Sequence, residues 1–165
     1  MADKVVRLAI SLAVAAAFLG SAVTTEAQQP RKSPTVKKAP RAKKPPLPNR
    51  DTFIIMARTV MIAVHHANLT GNYSVLRELG SPDFQKRYST AALSDRFSSF
   101  RKGRINLSPV ALFVPRLTQP PKYVKPGIIV LSGFFPTKPQ QIKFELYFQI
   151  VRGAWRLHET RISVL

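Results

Sequence analysis

Residues 141–157 read QIKFELYFQIVRGAWRL, and the fold follows from how this stretch alternates. Ile142, Phe144, Leu146, Phe148 and Ile150 fall on one side of an extended chain, and Lys143, Glu145, Tyr147 and Gln149 on the other. A period of two with one apolar face marks a half-buried strand. Arg152-Gly153 is the right length for a two-residue hairpin turn. Such a turn sets Trp155 opposite Ile150 and Leu157 opposite Phe148, both on the apolar face. The returning strand then changes phase, because Ile162 and Val164 carry even numbers whereas Trp155 and Leu157 carry odd ones. Restoring the inward direction takes one extra residue, so a β-bulge is predicted within His158–Arg161. In that register His158 lies opposite Tyr147 on the outer face, where a cross-strand pair accounts for it.

Upstream, Gly127–Phe135 (GIIVLSGFF) is apolar on both faces and reads as a further strand. Residues 115–126 carry four prolines and read as a loop. Leu107–Val114 alternates weakly, and Pro109 marks it as a strand start or edge. Before that the period is helical. Asn49 or Asp51 caps a helix from about Thr52 to Leu69, with Phe53, Met56, Ala57, Val60, Val64 and Ala67 on one face. Ile54, Ile55 and Ile62 lie off that face. A short helix Tyr73–Leu79 follows, then one opened by Ser81-Pro82-Asp83 and reaching about Tyr88. Another starts at Ser89 or Thr90, carries Leu93, Phe97 and Phe100 inward, and ends at Gly103. The fold class is therefore α+β: N-terminal helices packed on a curved antiparallel sheet of about four strands, within residues 51–165.

The 165-residue chain carries a net charge of +18 and no cysteine, which excludes disulfides and thiolate chemistry. Lys4 and Arg7 precede an apolar run from Leu8 to Leu19, and small residues end it near Ala27. That layout is a secretory signal peptide over residues 1–27, with cleavage after Ala27, or after Ala22 as second choice. An uncleaved anchor is the competing reading, but the run falls short of the roughly 20 residues needed to span a bilayer. Periplasmic or secreted localisation follows, without a membrane span after cleavage. Residues 28–50 hold eight basic residues and no acid, with Arg31, Lys32, Lys37, Lys38, Arg41, Lys43 and Lys44 among prolines. They read as a disordered linker. It is either a solvated spacer or a tether to anionic envelope components such as lipid head groups or acidic glycans. Export disfavours a nucleic-acid partner, although the charge alone would suit one.

The closing segment FELYFQIVRGAWRLHETRISVL (144–165) resembles the last hairpin of the nuclear transport factor 2-like (cystatin-like) superfamily. AVHHANLTGNYSVLRELGSPDF (63–84) is similar to the first two helices of that family. The resemblance implies a cone whose sheet wraps the first helix around a cavity, and often a dimer through the outer sheet face. The family includes isomerases, dehydratases and cyclases that place a carboxylate, His or Tyr in the cavity, together with members that have no activity.

No such catalytic set stands out here. Glu159, if the bulge turned it inward, and Tyr88 are the weak candidates for acid–base work. The inward positions point instead to a lipophilic pocket of Val60, Val64, Phe144, Leu146, Phe148 and Trp155, or to a filled core. No cofactor and no metal is expected. His65 and His66 are adjacent on a helix and point about 100° apart, which does not suit a shared metal. Arg101-Lys102-Gly103-Arg104 reads as a solvated helix end, or with Lys122 and Lys125 as an anion-binding face. Ile129, Leu131 and Phe135 fall on the side opposite the better-matched core face and read as a homodimer patch. The leading function is a non-catalytic domain binding a small apolar ligand or a protein partner near the cell envelope. An isomerase- or cyclase-type enzyme and a basic nucleic-acid binder are the alternatives.

Overall fold

The computed structural model describes residues 45–165. The chain divides into two units, Met1–Pro40 and Arg41–Leu165. The signal segment and the linker residues Arg31, Lys32, Lys37, Lys38, Arg41, Lys43 and Lys44 lie outside the described residues.

Helix α1 runs Arg50–Thr70. Asn49 caps it, its side chain accepting from the Thr52 amide at 2.9 Å, and Gly71 ends it in the left-handed conformation (φ 73°). Phe53, Met56, Ala57, Val60, Met61, Ala63, Val64 and Ala67 are buried, a stripe at three- and four-residue spacing that packs into the core. By length and composition α1 could also cross a membrane, but here that stripe belongs to the core. Four short helices follow: α2 (Ser74–Glu78), α3 (Pro82–Arg87), α4 (Thr90–Arg96) and α5 (Ser98–Lys102). Ser81 and Ser89 cap α3 and α4 through the amides of Phe84 and Ala92. The single helix expected up to Gly103 is broken at Phe97. Leu93, Phe97 and Phe100 still all reach the core.

The sheet is antiparallel, with five strands where about four were expected: β1 (Arg116–Leu117), β2 (Lys122–Lys125), β3 (Ile128–Phe135), β4 (Ile142–Val151) and β5 (Ala154–Val164). The order is β1-β3-β4-β5, with β2 also pairing β3. Two expectations fail between Leu107 and Lys125. Ser108–Ala111 winds as a 3-10 turn. The Asn106 side chain accepts the Ser108 amide at 2.9 Å, and Pro109 fixes a helical φ just after it. The supposed loop 115–126 instead supplies β1 and β2, which lie between its prolines, where backbone N–H groups remain for pairing.

The hairpin forms as read. Arg152 (φ 50°) and Gly153 (φ 80°) are both left-handed, the pair of signs a two-residue primed turn requires. Trp155 pairs Ile150 and Leu157 pairs Phe148. The bulge falls at His158: Phe148 pairs Leu157 while Tyr147 pairs Glu159. His158 is thus the extra residue and is not opposite Tyr147. Its Nδ1 contacts Gln149 Oε1 at 3.2 Å instead.

The phase of β3 corrects the dimer reading. Ile129, Leu131 and Phe135 pair with Phe148, Leu146 and Ile142, and directly opposed residues share a face. All three are at 0% exposure. They are core residues and offer no surface to a second copy.

Candidate functional site

The two weak acid–base candidates meet. Tyr88, at the end of α3, donates its hydroxyl to Glu159 Oε2 at 2.8 Å. Glu159 Oε1 accepts from Arg96 Nη2 at 2.9 Å and from the Thr160 amide at 3.0 Å, and Arg87 stands 3.9 Å from Oε2. Arg96 also bonds the Tyr88 oxygen at 3.1 Å. The bulge therefore directs Glu159 toward α3 and α4 on the outer side, away from the core. Burial first, and then the bond to Glu159, raises the Tyr88 phenol above its ordinary value near 10. A cavity of about 290 Å³ beside this node is lined in part by Arg87, Lys125, His158, Glu159 and Arg161. Burial, followed by the Arg87 charge, holds His158 below its ordinary value.

The same arginines close the edge of the sheet. Ser81 N donates to Leu157 O at 2.7 Å, and Leu157 N donates to Leu79 O at 3.1 Å. Arg87 and Arg96 take the carbonyls of His158 and Thr160. An edge strand with its carbonyls occupied presents less template to another chain.

The residues expected to form the ligand pocket lie elsewhere. Val60, Val64, Phe144, Leu146 and Phe148 are buried in the core cluster, and Trp155 packs partly buried against it, beside Tyr123. None of them lines the cavities described here. The larger opening is a groove of about 580 Å³ at the start of α1. Phe53 and Ile54 form one wall; Phe113, Val114, Pro115 and Leu117, with Pro136, form the other. Its charged lining consists of Arg50 and Arg116. The Phe113–Leu117 wall is anchored at both ends. Arg58 Nη2 donates to Phe113 O at 3.0 Å, and Arg116 and Leu117 pair with Phe134 and Gly133. Gly133 is required there, since a Cβ would sit 2.4 Å from Arg116 O. Leu112, Val114 and Leu117 remain exposed at 85, 47 and 40%, an apolar collar that packing of the domain does not explain.

Sequence reasoning missed this groove because its far wall was taken for strand and loop. The signal was available in the run Leu112, Phe113, Val114 and Leu117 between prolines. The basic residues expected to form one anion face are divided: Lys125 lines the cavity at Glu159, whereas Arg101 and Arg104 line another. His65 and His66 have ring centres 5.6 Å apart, and among the described residues no group of three His, Cys, Asp or Glu could hold a metal.

Comparisons of the chain with protein-family models, with curated proteins and with solved structures gave no match.

Proposed function

We propose that this chain is an exported, non-catalytic binding domain that takes a small amphiphile, an apolar body with an acidic head, into the groove at the start of α1. The observation that carries this reading is the lining: seven apolar residues with two arginines and no carboxylate. Its volume falls within the roughly 300–1,000 Å³ typical of small-molecule sites. The apolar body lies between Phe53, Ile54 and Phe113. The head group meets Arg50 and Arg116, whose guanidinium groups have no hydrogen bond or ion pair with described residues. The secretory-type N-terminus and the basic linker support work beside an anionic envelope. The occupied carboxylate of Glu159 supports a bracing role over acid–base chemistry. The order of helices and sheet is compatible with a relationship to the nuclear transport factor 2-like superfamily, in which small-ligand sites are common.

The test is displacement of an environment-sensitive apolar dye by a medium-chain alkyl carboxylate and by the matching alcohol. The carboxylate should bind about tenfold more tightly, since a charge-assisted hydrogen bond contributes on the order of 1.5 kcal/mol. Arg50→Ala/Arg116→Ala should abolish that preference while still binding both compounds. Equal binding of the two by the unaltered protein, or no displacement by either, would sink the reading.

A further inference from the structure

The end of α1, the end of α5 and the segment after it line a cavity of about 300 Å³. Its polar lining is His65, Asn68, Arg101, Arg104 and Asn106, without a carboxylate. The hydrogen bonds around it fix which polar atoms remain free. Arg101 Nη1 donates to the Tyr73 oxygen and, at 2.8 Å, to Ser94 O. A guanidinium cannot accept, so Tyr73 gives its own proton to Asn68 Oδ1 at 2.5 Å. That orientation leaves the Asn68 amide nitrogen, which is buried and has no partner among the described residues. Asn106 is committed in the same sense: its Oδ1 accepts the Ser108 amide at 2.9 Å, leaving its NH2. Arg104 makes no side-chain hydrogen bond or ion pair with described residues. Apart from the His65 ring, the side-chain groups left over around this cavity are donors.

We propose that this cavity is a second binding site, for the phosphate group of a small phosphate monoester. Two guanidinium groups and two amide NH2 groups offer more donors than one carboxylate can accept, whereas a phosphate has three terminal oxygens to receive them. Phe100 and Ile105 supply an apolar floor for the rest of the molecule. The negative end of the α1 dipole opposes an anion here, but it amounts to about half a charge against two full positive ones. The α1 carbonyls of His66 and Ala67 are also already occupied by Thr70 Oγ1 and Gly71 N, each at 2.8 Å. Arg104 itself is left-handed (φ 50°), while the preceding Gly103 is not. An arginine thus occupies the one position of the pair where glycine would relieve strain.

That arrangement supplies a clean variant. Arg104→Gly removes the cation and relaxes the backbone, so its melting temperature should hold or rise. The experiment is a titration of the isotopically labelled full chain with inorganic phosphate and with phenyl phosphate at constant ionic strength, followed by amide NMR. The unaltered protein should show saturable shifts at Asn68 and at Arg104, Ile105 and Asn106, with phenyl phosphate the tighter of the two. Arg104→Gly should weaken both by at least tenfold. Shifts confined to the basic linker, no saturable shifts, or equal affinity in the folded variant would each overturn the proposal.

Discussion

Tyr88 and Glu159 lie 71 residues apart in the chain and 2.8 Å apart in the fold. Their bond joins the end of α3 to the strand just past the bulge. Tyr88→Phe removes the bond to Glu159 and the one accepted from Arg96, but leaves Glu159 its partners Arg96 and Thr160 N, so at this partly exposed site it should cost about 1 kcal/mol. Glu159→Gln strips the negative partner from Arg96 and Arg87 together and should cost more, about 2 kcal/mol. Urea denaturation of both variants decides the order. A Glu159→Gln no weaker than Tyr88→Phe would show that the carboxylate is not the tie.

The sheet edge carries its own prediction. With Arg87 and Arg96 both replaced by Ala, the carbonyls of His158 and Thr160 lose their caps, and the edge of β5 opens to pairing. Light scattering at fixed protein concentration should rise faster for the double variant than for the unaltered protein. The change should be larger than for replacing the exposed Lys86 and Arg156, whose side chains make no hydrogen bond or ion pair with described residues.

Stability should fall on the acid side because of two histidines. Burial first and Arg87 second depress His158, and burial first and His66 second depress His65. The unfolded chain then binds protons more readily than the folded one, so this contribution is present above about pH 6.5 and is lost as pH falls below it. Tyr88 and Tyr147 act at the other extreme. Both phenols are raised, so their contribution is present below about pH 10 and lost as pH rises beyond it. The urea midpoint should drop between pH 7.5 and 5.5, and His65→Gln/His158→Gln should reduce that drop. An unchanged drop would remove the histidines from the account.

Gly133 links packing to the groove. An alanine there would set its Cβ 2.4 Å from Arg116 O and 2.9 Å from Phe144 Cζ. Relief requires β1 to move away from β3, at about 2 kcal/mol. Since Arg116 and Leu117 line the groove, Gly133→Ala should also weaken dye binding at temperatures where the domain is still folded. Full dye affinity in the folded variant would separate the groove from β1.

How far the sequence carried depends on where its patterns were local. Residues 142–164 state their register in the alternation and phase shift, and the hairpin and the bulge both appear. The caps at Asn49, Ser81 and Ser89 are equally local, because each side chain bonds an amide three residues on. The phase of β3 is not local. Gly127–Phe135 is apolar on both faces, so only its pairing with β4 tells which parity turns inward. That ambiguity moved Ile129, Leu131 and Phe135 from core to surface in the reading. The groove was hidden for a related reason. Its walls come from α1 and from Phe113–Leu117, whose conformation follows from an Asx turn at Asn106, Pro109 and the long-range bond from Arg58. The Tyr88–Glu159 bond, spanning 71 positions, leaves no trace in spacing at all.

The most direct test of the central claim is an amide and methyl NMR titration of the full chain with a medium-chain alkyl carboxylate. Saturable shifts are expected at Phe53, Ile54, Phe113, Val114 and Leu117, with the core methyls of Val60, Val64 and Leu146 unmoved. Shifts concentrated on those core methyls, or no saturable shifts at the groove, would contradict it.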